Sequence, residues 1–438
     1  MKRTAFWLVT DTHYFEPSLG AYGKSLDDYM KRELYFLKES SAIVHSVFER
    51  IARDEEIDTV IIPGDLTKNG EKESHLSFVK ELEALKAAGK KVFVITAGHD
   101  YNENPRAYRG DDCVTVEGTD FDELYELYRD FGIGDALAVD EPTHSYIAEI
   151  SEGVRMLALN CDSPANAKGT IDERLTEWAK IQLDRAKADN AFVFAICHYP
   201  IIPSVPIFDL VDDAKVKNWR DTATFLADNG VSVVFTGHMH IQSINTFDTP
   251  SGNRLVDICT SVLVGSPAKY RKVTIDENSV LTVESISTGD FGGDMNGLTA
   301  EEFFNRQGEQ AIINRINGLL SGSKPKELAG KILRSIRLGT VAKLLLIRID
   351  KSLKNEKLID VVGRVGLSIF EGDSPYKAGT PLYDAIEKAL GRFNFILKKV
   401  SKKLSSDERT VDLKKMILDT VGADKEYPDN NAKIELNN

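Results

Sequence analysis

The 438-residue chain has few cysteines and no apolar run long enough to cross a membrane. None of its four cysteines, Cys113, Cys161, Cys197 and Cys259, belongs to a C-x-x-C pair, which argues against a zinc knuckle and a disulfide framework. No stretch approaches the ~18–20 apolar residues that a transmembrane helix needs. Because no signal peptide precedes the first strand, which begins near Ala5, we expect a cytoplasmic protein.

The chain also lacks an excess of positive charge. Its 55 lysines and arginines are outnumbered by 68 aspartates and glutamates, which gives a formal net charge of −13. Binding to a nucleic-acid backbone requires a basic surface, so this balance argues against general nucleic-acid binding. A small phosphoester in a local pocket stays compatible with it, because bound cations would be the largest charges there.

The composition, 42% hydrophobic and 28% charged, is typical of a globular protein. A chain of this length favours two domains. Alternating strands and helices predict an α/β domain over residues 1–288, in which Ile241 to Ser287 forms a second, antiparallel or mixed sheet packed against the first. A glycine-rich linker, Gly289–Asp294, then leads to a predicted helical C-terminal domain over residues 298–438.

Five apolar runs of β type each stop at residues that can bind a metal. The residues that follow these runs are Asp11 and His13, Gly64-Asp65, His99-Asp100, His198, and Gly237-His238-Met239-His240. Five of the eight histidines lie in these short segments. Because the carboxyl ends of parallel strands meet at one edge of a sheet, the pattern predicts a convergent cluster suited to a two-metal hydrolytic centre. Aspartate and histidine ligands without a thiolate favour manganese, iron or zinc.

The ordered motifs resemble those of the calcineurin-like metallophosphoesterases. The segment Gly64–Glu71 further resembles the branch that includes class III cyclic-nucleotide phosphodiesterases. The resemblance covers roughly residues 1–288 and implies a four-layer α/β/β/α sandwich that hydrolyses a small-molecule or phosphorylated substrate with metal-activated hydroxide. The Gly64–Glu71 segment favours phosphodiesters. The alternatives are a phosphomonoesterase or protein-phosphatase-like activity, and a metal-binding scaffold with weakened catalysis.

The resemblance also implies a role for each residue. Asp65 would bridge the two metals, and His99 would contact the phosphoryl group or protonate the leaving oxygen, with Asp100 orienting its ring. The other ligands would be Asp11, His13 and His240 for the first metal, and His198 and His238 for the second.

One position departs from the family pattern. The family usually has an asparagine, a ligand of the second metal, where this chain has Gly98, which has no side chain to donate. Our hypothesis from the sequence is that water or a group from the Asn102–Asn104 loop takes the vacant position, and that the second metal binds more weakly.

Two further segments have two possible interpretations each. Arg106 and Arg109 follow the His99 motif in a long loop, where they either bind a substrate phosphate or form exposed salt bridges. The basic amphipathic segment Lys324–Lys357 is either a surface for membranes or anionic partners, or, as we favour, a helical stretch packed on its domain with its charges in water.

Overall fold

The computed structural model describes residues 3–31, 33–319, 323–405 and 410–436. The strands in these ranges are β1 (Thr4–Leu8), β2 (Ala21–Tyr22), β3 (Thr59–Pro63), β4 (Lys91–Ile95), β5 (Arg106–Arg109), β6 (Asp112–Thr115), β7 (Ala138–Asp140), β8 (Ser145–Ser151), β9 (Val154–Leu159), β10 (Phe192–Cys197), β11 (Val233–Thr236), β12 (Ser243–Asp248), β13 (Arg254–Cys259), β14 (Lys269–Ile275), β15 (Val280–Ser287) and β16 (Ala432–Glu435). The α-helices are α1 (Lys24–Met30), α2 (Ser40–Arg53), α3 (Lys72–Ala87), α4 (Phe121–Tyr128), α5 (Glu173–Ala188), α6 (Trp219–Asp228), α7 (Ala300–Leu319), α8 (Lys324–Ser335), α9 (Leu338–Leu344), α10 (Leu358–Glu371), α11 (Pro381–Arg392), α12 (Asn394–Leu404) and α13 (Leu413–Gly422).

Two large mixed sheets form the centre of the fold. The first has the order β16-β15-β14-β1-β3-β4, in which β1, β3 and β4 run parallel. The second has the order β12-β13-β11-β10-β9-β8-β7, in which β9, β10, β11 and β13 run parallel. Strands β2, β5 and β6 form a small third sheet, and β5 and β6 lie in the region after His99 that was predicted to be a long loop.

The two large sheets pack face to face through buried aromatic side chains. The ring of Phe6 on β1 stacks on Phe194 of β10, with centroids 5.3 Å apart, and contacts the edge of Phe235 on β11 at 5.2 Å. Helices α2 and α3 cover the outer face of the first sheet, and α5 and α6 cover the outer face of the second. The predicted four-layer α/β/β/α arrangement is therefore confirmed.

The distribution of strands between the sheets differs from the prediction. The strands that precede the five motifs belong to both sheets: β1, β3 and β4 to the first, β10 and β11 to the second. The segment from Ile241 to Ser287 does not form a sheet of its own, because β12 and β13 join the second sheet while β14 and β15 join the first. Apolar alternation identifies a strand, but its neighbour in the sheet depends on long-range packing.

The C-terminal region contains the predicted helices and one strand that was not predicted. Helices α9 to α11 enclose a small core that includes Leu353, Val361 and Leu382. Strand β16 pairs antiparallel with β15 and extends the first sheet. Its Ile434 is 1% exposed. The predicted helical domain over residues 298–438 did not include this strand, which is too short to stand out by its pattern. Within the described ranges, no helix has both the length and the apolarity required to span a bilayer.

Candidate metal centre

The proposed metal ligands lie where the two sheets bring the carboxyl ends of their parallel strands together. Asp11, His13 and Asp65 follow strands of the first sheet, and the other histidines follow β10 and β11 of the second. The facing sheets therefore contribute to one site from two sides. This explains why ligands so distant in the sequence meet.

Six side chains form two groups, each able to hold a metal ion. Within each group the candidate ligand atoms lie within 4.8 Å of one another; the first group is Asp11, His13 and His240, and the second is Asp65, His198 and His238. In the first group, His240 Nε2 lies 3.3 Å from Asp11 Oδ1 and 3.1 Å from His13 Nε2.

Asp65 lies between the two groups. Its Oδ2 atom is 3.0 Å from His198 Nε2 and 3.9 Å from His13 Nε2. The Asp65 carboxylate therefore lies within reach of histidines from both groups.

Backbone carbonyls fix which nitrogen each of two histidines can offer to a cation. His198 Nδ1 donates to Pro63 O at 2.8 Å, which leaves Nε2, 3.0 Å from Asp65 Oδ2, as its candidate ligand atom. His238 Nε2 donates to Asp213 O at 2.6 Å, which leaves Nδ1 as its ligand atom. Metal-binding histidines usually donate their second N–H in this way, and the donation fixes the ring orientation.

The backbone is strained at most of the proposed ligands. Five of the six have positive φ: Asp11 (51°), His13 (36°), Asp65 (52°), His238 (68°) and His240 (59°). A non-glycine residue in this region costs about 1–3 kcal/mol, and such residues cluster at functional sites. Gly64 supports the same turn, because a Cβ atom there would lie 2.6 Å from the His198 ring.

The surroundings of the proposed ligands favour neutral rings at His13 and His238, but a protonated ring at His198 beside the ionised Asp65 carboxylate. Burial lowers the pKa of His13 to about 3 and that of His238 to about 4, so both rings are neutral at pH 7. Burial also opposes charge on His198, but the adjacent Asp65 carboxylate outweighs it and raises the pKa of His198 to about 10. Burial likewise opposes charge on Asp65, yet His198 holds the Asp65 pKa well below its usual value. Metal binding at this pair would release the His198 proton.

The two groups fit a pair of metal ions. They supply oxygen and nitrogen donors with no thiolate, and the ring orientations and strained backbone direct these donors inward. The sequence profile of the calcineurin-like phosphoesterases matches residues 4–242, more than half of the chain. The chain belongs to the calcineurin-like phosphoesterase family.

Individual members of the family are distant relatives. A probable cyclic nucleotide phosphodiesterase of Rhodococcus erythropolis is 23% identical over 219 residues, which cover 49% of this chain and 62% of the relative. The chain thus matches less than two thirds of that relative. Among solved structures, a dimetal phosphatase from Danio rerio aligns with 65% of this chain and 96% of its own, at 12% identity and a TM-score of 0.46. A putative 5'-nucleotidase from Staphylococcus aureus aligns with 83% of this chain and 72% of its own, at 14% identity and a TM-score of 0.41.

His99 lies beside the first of the two groups, with its ring 5.1 Å from the ring of His13. Its Nδ1 donates to Lys68 O at 2.8 Å. The prediction that Asp100 orients this ring is wrong. The Asp100 carboxylate instead accepts the backbone N–H groups of Thr67 and Ala97 at 2.9 and 2.8 Å. Asp100 is a positioning residue for the loop. The sequence could not show this, because the preference of a carboxylate for one of several nearby donors depends on the loop fold.

Two aromatic residues outside the motifs pack against the histidines. Tyr35 stacks on His13 with centroids 4.4 Å apart, and Tyr199 stacks on His238 at 3.8 Å. The sequence analysis missed both. Tyr199 follows His198 directly, whereas Tyr35 has no local signal. Arg106 and Arg109, for which the sequence left open a substrate contact or an exposed salt bridge, are exposed on β5, and Arg109 Nε donates to Leu19 O at 2.9 Å.

A further residue that the sequence analysis missed, Asp162, lies beside Gly98. A Cβ atom at Gly98 would lie 2.3 Å from Asp162 Oδ2. Asp162 follows β9, and the run Val154–Leu159 before it has the same apolar pattern as the five strands described above. The signal was therefore present. Asn102 of the nearby loop instead accepts the N–H of Asn104 at 3.0 Å.

Proposed function

We propose that this phosphoesterase hydrolyses phosphodiesters at the centre formed by its two ligand groups. Asp65 would be shared between the metals. The remaining ligands would be Asp11, His13 and His240 on one side and His198 and His238 on the other. The observation that carries this proposal is the position of the Asp65 carboxylate, 3.0 Å from His198 and 3.9 Å from His13.

When bound, two metals at such a site polarise the phosphoryl oxygens and lower the pKa of a water molecule. The residues of the chain perform the other tasks. The proposed task of His99 is to donate a proton from Nε2 to the leaving oxygen, because Nδ1 is already engaged with Lys68 O. The water oxygen forms the new P–O bond, and the P–O bond to the leaving alcohol breaks.

Two features support phosphodiesters. The segment Gly64–Glu71 resembles the cyclic-nucleotide phosphodiesterase branch, and the Rhodococcus erythropolis relative has a matching description. In the structure this segment carries both Asp65 and the Lys68 carbonyl that orients His99. Lys68 itself is 4% exposed, with its Nζ 4.9 Å from the Tyr29 ring centroid and 5.3 Å from that of Tyr108. The segment is thus fixed in place by its own packing.

The preference for diesters predicts a specific pattern of turnover. With added Mn²⁺, we expect a higher kcat/KM for bis-p-nitrophenyl phosphate than for p-nitrophenyl phosphate, and loss of both activities with a chelator. Faster turnover of the monoester would replace the proposal with a phosphomonoesterase. Binding of two metals without turnover of either ester would favour a scaffold protein.

His99 provides a second test, because a proton donor matters most for a poor leaving group. In His99→Ala we expect kcat for an alkyl phosphodiester to fall by about 10²-fold, and kcat for a p-nitrophenyl ester to fall much less. Metal content should not change. His45→Ala is the matched control, since His45 is a half-exposed histidine on α2 that contacts Glu81 and Glu49. An equal loss for both esters would contradict the role of proton donor.

A further inference from the structure

The Asp162 carboxylate fills the space that a side chain at position 98 would occupy. The position of a Cβ atom at Gly98 is 2.3 Å from Asp162 Oδ2 and 3.1 Å from Asp162 Cγ. In an asparagine, the amide oxygen lies about 2.4 Å from its own Cβ. The distance from the Cβ position of residue 98 to Asp162 Oδ2 therefore matches the distance from Cβ to the amide oxygen within an asparagine side chain. Gly98 does not have positive φ. The crowding by Asp162, rather than the backbone, is what excludes a side chain here.

The sheet explains how Asp162 reaches this position. Strand β9 runs parallel to β10, and Leu159 pairs with Cys197, the residue before His198. The chain that leaves β9 therefore emerges at the same edge as His198. Two hydrogen bonds hold it there, from Asp162 N to Asn160 Oδ1 and from Tyr101 Oη to Asp162 O, both at 3.0 Å.

The Asp162 carboxylate lacks the partners that a buried carboxylate normally has. The residue is 3% exposed, and its Oδ1 has no hydrogen-bond partner among the described residues. The Gly98 N–H bonds the carboxylate. The next residue, His99, donates its backbone N–H to Asp65 Oδ1 at 3.3 Å, so the Asp162 carboxylate lies near the second ligand group. A buried carboxylate with an unpaired oxygen is unfavourable unless a cation binds it.

We propose that Asp162 is an oxygen ligand of the second metal, in the place of the asparagine that Gly98 replaces. This proposal rests on the proposed metal centre. It replaces the earlier hypothesis of a water or loop ligand with weak binding. An anionic oxygen instead of a neutral one gives the second group two carboxylates, Asp65 and Asp162. The second site therefore favours a hard divalent ion such as Mn²⁺ and binds it tightly.

The test measures metal binding rather than activity. Metal-free protein is titrated with MnCl₂ by calorimetry, and the bound manganese is counted by elemental analysis. We expect two tight sites in the unchanged protein. Asp162→Ala should keep the first site and bind the second Mn²⁺ at least about tenfold more weakly. Asp162→Asn keeps the shape without the charge and should show an intermediate loss, which is measurable even if Asp162→Ala does not fold.

An exchange of side chains makes the test specific. Gly98→Asn alone should weaken the second site, because it collides with Asp162. In the double variant Gly98→Asn with Asp162→Ala, the asparagine side chain has space and should restore binding of the second metal. Asp257→Asn is the matched control, a carboxylate 1% exposed on the same sheet whose oxygens accept Thr236 Oγ1 and Ile202 N.

The outcomes separate the two proposals. Two tight manganese sites in the unchanged protein, together with undiminished affinity in both Asp162 variants, would overturn the role of Asp162 and leave the proposed function intact. A protein that binds no manganese in any form would overturn the metal centre, and with it both proposals. A second site that the double variant fails to restore would also count against the assignment, provided that the variant is folded.

Discussion

Replacing Asp65 by asparagine is expected to reduce kcat by about 10³-fold or more and to empty both metal groups, because this carboxylate lies within reach of each. Its Oδ2 faces His198 and His13, and its Oδ1 accepts the His99 N–H at 3.3 Å. Asparagine retains one oxygen, removes the negative charge and turns an NH₂ group toward the ligands. Other single ligands belong to one group, so their removal should leave part of the metal bound.

The measurement combines elemental analysis with phosphodiester turnover, and circular dichroism establishes that the variant is folded. Asp257→Asn serves again as the control, because it removes a buried carboxylate of the other sheet and should retain both metals. Asp65→Asn with two metals at unchanged affinity would contradict the shared position of Asp65, whatever its effect on turnover.

The second large effect concerns stability at Arg271, a fully buried arginine on β14. Its guanidinium donates to three backbone carbonyls and two hydroxyls: Cys259 O (2.9 Å), Asp429 O (3.0 Å), Asn430 O (3.2 Å), Thr260 Oγ1 (3.0 Å) and Ser285 Oγ (3.1 Å). Burial lowers its pKa to about 10, so it stays charged at pH 7. It connects both large sheets to the segment that leads into β16.

Arg271→Met is expected to lower the free energy of unfolding by about 3–5 kcal/mol, because it leaves several buried carbonyls without a donor. Urea denaturation measures the loss. Hydrogen exchange should increase in Ala432–Glu435, since the variant releases the chain before this strand. Arg254→Met is the control. Arg254 is partly exposed and pairs with Asp248 and Glu426, so its loss should cost about 1 kcal/mol or less.

This second result also bears on how the chain divides. We predicted an α/β domain over residues 1–288 and a helical domain over residues 298–438, and we keep these bounds as a proposal. Arg271 and β16 join the two parts by hydrogen bonds. An Arg271→Met variant in which the exchange of β16 stays unchanged would indicate that the C-terminal part folds independently of this contact.

The proposed ligand set could be read from the sequence because each of its members lies within a few residues after a strand. An apolar run such as Thr59–Pro63 that ends in a glycine and an aspartate is a local pattern, and strand polarity determines where its end lies. The same rule applied to Val154–Leu159 would have identified Asp162. Strand β9 forms a hairpin with β8, and only the structure shows that it also pairs in parallel with β10, which brings its end to the same edge.

The order of residues along the chain by itself determined the family, the strands that precede the five motifs and the side chains proposed as ligands after them, since these depend on local alternation and short motifs. Only the tertiary structure decided which sheet each strand joins, that the Lys68 carbonyl rather than Asp100 holds His99, and that Asp162 fills the space beside Gly98. The physical reason is that each of these depends on contacts between residues far apart in the chain, where several donors compete for one partner and packing selects among them.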